Sequence, residues 1–227
     1  MKVRALSLCV MALSLCLTVA PAAHNFGVNP PTWNREISRL VYDRCASCHR
    51  EGGTAFSLMT YQDAQPRATA IKEAVLSRRM PPWGAVKGFG DFKNEQGLTQ
   101  EQVELVSDWV EGGTTKGNNP NVLPKPPKFE NKPPAPLPSH GPVAHGRLTL
   151  REATVIRGLL PVNVPAQASM QITAVFPDGR VEPLLWLYEY QARFRHAFLL
   201  RRPITVPAGT RIEGVVPTAS IRVLTSG

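Results

Sequence analysis

At 227 residues, 43% hydrophobic and 19% charged, the chain is long enough for one large domain or two small ones and has the material for a buried core, which excludes a disordered polyelectrolyte. The net charge of +9 suits an acidic partner protein or an anionic membrane. It does not identify a nucleic-acid binder, because there is neither a long basic run nor an RNA-reading motif.

Residues 1–22 read as a Sec signal peptide. Met1-Lys2-Val3-Arg4 is a charged start, Ala5 to Ala20 is apolar apart from a few Ser and Thr, and Ala20-Pro21-Ala22 is a small-x-small cleavage site. A retained membrane anchor is the alternative, although sixteen residues are short for a spanning helix. The expected location is periplasmic or otherwise exported, with membrane association left open. Cleavage removes Lys2 and Arg4, lowering the charge from +9 to +7, and takes Cys9 and Cys16 with it. Two cysteines remain, Cys45 and Cys48, too few for a disulfide-stapled scaffold.

Thr32 to Arg44 has helical spacing, with Ile37, Leu40 and Val41 at i, i+3 and i+4. It runs into Cys45-Ala46-Ser47-Cys48-His49, a C-x-x-C-H sequence. Two chemistries use this pattern. A thioredoxin-like dithiol would need a low-pKa Cys45 resolved by Cys48, and a strand ahead of the first cysteine. A c-type haem would use both sulfurs as thioethers and the His49 imidazole as an axial iron ligand. The helical lead-in favours one covalent haem c, held by Cys45, Cys48 and His49. Only one C-x-x-C-H is present.

Glu51-Gly52-Gly53 breaks this first helix, read over 32–49. Tyr61 to Arg79 is a second helical stretch, with Pro66 at a new first turn and Ala68, Ile71 and Val75 on one face. It ends in Arg78-Arg79-Met80-Pro81-Pro82-Trp83. The prolines block continuation of the helix and leave Met80 on a stiff loop, a second axial ligand for the iron. Met59 and the distant His140, His145 and His196 are rivals for that position. A third helix opens at the Thr99-Gln100-Glu101-Gln102 capping box, carries Val103, Val106, Trp109 and Val110, and closes at Gly112-Gly113. Its Trp109 is expected against Leu40 or Val41.

Nine of the 22 prolines lie between Pro120 and Pro142, so residues 116–145 read as a semi-rigid polyproline linker. Residues 146–227 read as about seven short strands, which implies a small β-sandwich. Within it, Met170, Ile172, Ala174 and Phe176 alternate with Gln171, Thr173 and Val175 up to a Pro177-Asp178-Gly179-Arg180 turn. Leu184 to Tyr190 would return antiparallel, and His196 to Leu200 and Ile204 to Val206 would be separate strands.

The run Cys45-Ala46-Ser47-Cys48-His49-Arg50, then Ala55-Phe56-Ser57-Leu58, then Ala70 to Trp83 resembles a bacterial family of monohaem class I-like cytochrome c domains. These are often fused to copper monooxygenase-like modules of the dopamine β-monooxygenase and peptidylglycine hydroxylating type. The later half, through Ser169-Met170, Ala174 to Arg180 and Pro207 to Glu213, is similar to the C-terminal copper-binding half of those modules. The resemblance implies an α + β two-domain chain: an all-α cytochrome c domain at 32–115, the proline-rich linker, and a small antiparallel β-sandwich. It would also place a His-x-His copper pair where this chain has Val162-Asn163-Val164, and a later methionine where none follows Met170. Valine cannot ligate copper, so no copper is expected.

A six-coordinate His/Met haem iron has no free position for oxygen or peroxide, so the expected function is one-electron transfer rather than catalysis. Expected partners are redox proteins, acidic or membrane-bound, met through Arg44, Arg50, Lys72, Arg78, Arg79 and Lys87 around the haem motifs. The alternatives are an accessory or structural redox subunit of a larger complex, or a partner of a copper monooxygenase.

Overall fold

The computed structural model describes residues 30–93, 95–130 and 136–226. The expected signal peptide, residues 1–22, lies outside them. Within them, no helix is long and apolar enough to cross a membrane.

The helices are short, and their ends follow from local chemistry. A π-helical turn, Trp33–Ile37, leads into α1, Ser38–Arg44. Thr60 caps α2, Tyr61–Ala64, by accepting from the Asp63 N–H. Pro66 has no N–H to give, and a 3-10 turn, Gln65–Arg67, separates α2 from α3, Ala68–Leu76. The longest helix, α4, Gln100–Glu111, carries the Thr99 capping box and stops at Gly112. Trp109 of α4 lies beside Trp33, with ring centroids 6.2 Å apart, in a cluster that includes Val41. Leu40 belongs instead to a second cluster with Val75, Leu98, Val103 and Val106.

Eight strands follow: β1 Val143–Ala144, β2 Leu148–Thr149, β3 Thr154–Asn163, β4 Met170–Val175, β5 Val181–Leu187, β6 Phe198–Val206, β7 Arg211–Glu213 and β8 Ser220–Leu224. They pair antiparallel in two four-stranded sheets, in the orders β1-β8-β3-β6 and β2-β7-β4-β5. In β4, Met170, Ile172 and Ala174 point inward and Gln171 outward, as a period of two requires. The β4–β5 turn closes with the Phe176 N–H donating to the Arg180 carbonyl at 2.8 Å, and Gly179 takes the positive φ of +88° that this turn requires. Buried residues of both sheets form one cluster, with Ile156, Leu159, Ile172, Leu185 and Ile212 fully enclosed.

The expected α + β two-domain chain, an all-α cytochrome c domain followed by a small β-sandwich, is corrected by this architecture. Among the described residues the chain is β-dominated, built on two four-stranded antiparallel sheets with only short helices. The reason lies between Leu76 and Gln100. Ala85 bridges Leu187 of β5, Phe92 bridges Leu200 of β6, and Trp83 and Phe92 are buried among the side chains of the sheets. This strap belongs to the β core although it precedes the proline-rich stretch. Its apolar residues have no period, so neither helix nor strand patterning announces it.

Two smaller expectations also change. The separate strands at 196–200 and 204–206 are one strand, β6, whose register against β3 shifts between Ile156 and Gly158. Val143–Ala144, inside the expected linker, pairs with β8. The chain after α4 runs along the helices: Asn34 Nδ2 donates to the Gly117 carbonyl at 3.1 Å, and the Arg50 guanidinium lies 4.8 Å from the Phe129 ring centroid.

Candidate functional site

Cys45 to His49 wind into one tight turn at the end of α1. The Cys45 and Ala46 N–H groups both donate to the Val41 carbonyl, at 2.9 and 2.8 Å, and the Cys48 and His49 N–H groups to the Cys45 carbonyl, at 3.2 and 2.9 Å. Ala46 is fully buried beneath the turn. The following loop folds back, with Ala55 N–H donating to the Cys48 carbonyl and Leu58 N–H to that of His49. Gly53 permits this return, because a Cβ there would run into the Cys48 carbonyl oxygen.

Both thiols are half-buried and neither is in a disulfide. Burial pushes the Cys45 thiol up to about 12, with Asp43 and Cys48 adding to the rise and Arg44 opposing it. Disulfide exchange needs an attacking thiolate near neutral pH, so Cys45 is poorly suited to the attacking role that a thioredoxin-like dithiol would give it.

His49 is oriented by its neighbours. Its Nδ1 lies 3.0 Å from the Phe56 carbonyl oxygen. A carbonyl can only accept, so Nδ1 is the donor, and in the neutral ring the lone pair is on Nε2. The Phe56 ring meets the imidazole edge-on at 4.8 Å, is 54% exposed, and carries the Arg67 guanidinium 4.9 Å from its centroid. Two free thiols and an imidazole with an available Nε2 on one turn are the donor set that a covalently tethered haem requires. No residue type in the sequence marks the Phe56 carbonyl, because a backbone acceptor has no residue-type signature.

Met80 is half-buried on a different segment, four residues beyond the end of α3. Its N–H donates to the Ala74 carbonyl at 3.0 Å, which folds the chain back over the last turn of α3. The peptide bond to Pro81 is cis. Beyond it the sheets take hold: Tyr188 N–H donates to the Gly84 carbonyl at 3.0 Å and Val86 N–H to that of Trp186 at 2.9 Å. A cavity of about 380 Å³ opens beside this segment, lined by Leu76, Arg78, Val86, Trp186 and Tyr188 among others, and includes neither His49 nor Met80 in its wall. The structure thus unites Cys45, Cys48 and His49 on one turn and holds Met80 on a separate, sheet-anchored segment.

Of the rival ligands, Met59 is half-buried with its carbonyl accepting from the Tyr42 hydroxyl at 3.0 Å, and His140 and His145 are exposed. His196 stacks on Trp83 in the β region. Among the six basic residues, Arg44 pairs with Asp43 at 2.8 Å, Lys72 with Glu111 at 2.5 Å and Lys87 with Glu95 at 3.0 Å. At the position of the missing copper pair, Val162 is 37% exposed near the end of β3 and Val164 is buried. Among the described residues, no group of three or more His, Cys, Asp or Glu side chains is placed to hold a metal ion.

No protein-family model, curated protein or solved structure matches the chain.

Proposed function

We propose that the chain is an exported one-electron carrier that holds a single haem c through Cys45, Cys48 and His49, with Met80 as the second axial ligand. The observation that carries this reading is His49. Its Nδ1 is fixed to the Phe56 carbonyl, which leaves Nε2 to coordinate, one residue beyond a free thiol and four beyond another.

When bound, haem supplies an iron centre that changes valence by one electron. Cys45 and Cys48 tether it. Their thiols would supply the covalent attachment, each S–H adding to a haem vinyl group, an addition that balances without an oxidant. His49 offers its Nε2 lone pair, and the hydrogen bond to Phe56 holds the ring and raises its basicity. The Met80 thioether would be the second protein ligand and would favour the reduced state relative to a second imidazole, suiting the group to electron transfer rather than to oxygen or peroxide chemistry. The partners are redox proteins, acidic or membrane-bound, drawn by the basic balance of the chain. Copper has no part in this reading, because Val162 and Val164 stand where the resemblance would place its ligands.

Protein expressed with its leader and an intact maturation pathway tests the proposal. After denaturation the chain should keep a haem-staining band, with one iron and no copper per chain. The oxidised protein should show the weak long-wavelength band of thioether-ligated ferric haem, and Met80→Ala should remove it. Colourless protein would overturn the reading.

A further inference from the structure

Among the buried polar side-chain atoms that find no partner in the protein, three lie together in the β region: the Trp83 indole Nε1, the Tyr190 hydroxyl oxygen and the His196 Nε2. All three side chains line one cavity of about 20 Å³, whose wall also includes Arg78, Glu189 and Gln191. Trp83 is 7% and Tyr190 3% exposed, so bulk solvent does not satisfy them, and buried polar groups in folded proteins are nearly always paired. His196 Nδ1 lies 2.8 Å from the Phe194 carbonyl and therefore carries the proton, which makes Nε2 an acceptor. The wall thus offers an indole donor, an imidazole acceptor and a hydroxyl able to do either.

Size and charge narrow the ligand. Roughly 10–15 Å³ is the least space that holds a water molecule, so this cavity takes one and little more. Arg78 and Glu189 give its wall one charge of each sign, which favours a neutral molecule over an ion.

The cavity also joins two distant parts of the chain. Trp83 follows Met80 by three residues, whereas Tyr190 and His196 lie in the connection between β5 and β6. His196 stacks on Trp83 with ring centroids 4.8 Å apart and planes 21° from parallel.

We infer that Trp83, Tyr190 and His196 bind one water molecule, and that this hydrated latch lets the β5–β6 connection set the position of the segment carrying Met80. The water site stands on the three orphaned atoms and their shared cavity alone. The positioning role rests on the proposed ligation of iron by Met80, and makes Trp83, Tyr190 and His196 positioning residues.

Isotopically labelled holoprotein tests both parts. By NMR, the Trp83 indole proton should exchange slowly and show cross-relaxation to a long-lived water. Tyr190→Phe keeps the ring and removes the hydroxyl, and should speed that exchange by roughly five- to tenfold, the factor that one modest hydrogen bond is worth. His196→Ala should do the same, and His196→Gln, which keeps a polar group at similar reach, should restore part of the protection. The second readout is the thioether band of the ferric protein together with the reduction potential, which should weaken and fall in Tyr190→Phe and His196→Ala. Absence of the water signal, or unchanged exchange in both variants, overturns the site. A water signal with an unaltered band and potential in both variants overturns the latch. A wild-type protein without the thioether band would defeat the Met80 reading and the latch together, and the water signal would still decide the site.

Discussion

Around the two sheets, 23 buried residues, drawn from both sheets, their connections and the strap through Trp83 and Phe92, merge into one cluster. The helical residues divide instead between a cluster of seven and a cluster of five, with Ile71 and Leu105 only partly buried against both. Helices of seven, four and nine residues cannot stand on backbone hydrogen bonds alone and depend on tertiary contacts. Two of the more exposed large apolar side chains, Phe56 at 54% and Leu76 at 53%, also lie in this half, close in sequence to His49 and Met80. The β half closes on its own side chains. The helical half presents a divided core around the Cys45–His49 turn, which under the proposed function is what the covalent haem completes.

The largest expected effect breaks or confirms that contrast directly. Cys45→Ser with Cys48→Ser should abolish covalent haem, read as complete loss of the haem-staining band. Far-UV circular dichroism should lose helical signal while the sheet signal persists. Full helical signal with an unchanged thermal midpoint would show that the helices need no tether.

Phe198→Ala probes the other side. Phe198 is fully enclosed, with ring centroids 5.1 Å from Trp83, 5.6 Å from Phe92 and 4.4 Å from His196. Truncation of such a side chain costs about 3–5 kcal/mol, to be measured by denaturant titration. Because two of its neighbours come from the strap, the amide protons of 83–92 should lose protection with those of the sheet. Loss confined to the sheet would mean that the strap is held by its edge bridges alone.

The contrast also separates what the sequence makes legible from what it does not. Features that act within a few residues are legible: the Cys45–His49 motif, the Thr99 capping box, the alternation of β4 and the Pro177–Arg180 turn. The strap is not, because its partners Leu187 and Leu200 lie about a hundred residues away and its own stretch is broken by Pro81, Pro82, Gly84, Gly88 and Gly90. That one segment undid the division into an all-α part and a separate β part. Pro203 stands between the two strands expected at 196–200 and 204–206, yet β6 lies at the edge of its sheet, where a residue without an N–H is tolerated. That Cys45, Cys48 and His49 share one turn could be read from their spacing. What orients His49, and what anchors the chain after Met80, could not, since both are contacts of backbone carbonyls.

A milder test stays within the helical half. The Thr99 hydroxyl accepts from the Gln102 N–H at 3.2 Å, and the Gln102 side chain accepts in return from the Thr99 N–H at 2.9 Å. Thr99→Ala should cost about 1 kcal/mol by denaturant titration. Thr60→Ala removes the matching cap on α2, a helix of one turn, and should change local amide protection more than global stability. Equal global costs would argue that the two small clusters unfold as one unit.

The smallest expected effect is on pH, and its sign follows from His196. Burial holds this imidazole below its usual value of 6.5, and the hydrogen bond to the Phe194 carbonyl only partly opposes that shift. Above the usual value both folded and unfolded chains hold it neutral and it adds no pH dependence. As pH falls below that value the unfolded chain takes up a proton that the folded chain resists, so stability declines toward the lower folded value. Asp63, Asp178 and Glu213 also lose stabilisation on acidification, because hydrogen bonds depress their folded values, but they do so within and below the ordinary carboxylate range. Within the window between that range and pH 6.5, the difference between wild type and His196→Gln reports this histidine, with Arg78 and Glu189 as the charged groups sharing its cavity. Denaturant midpoints across this window should slope downward with falling pH in the wild type and lie flatter in His196→Gln. Parallel slopes would mean that this imidazole is hydrated enough in the folded chain to accept its proton freely.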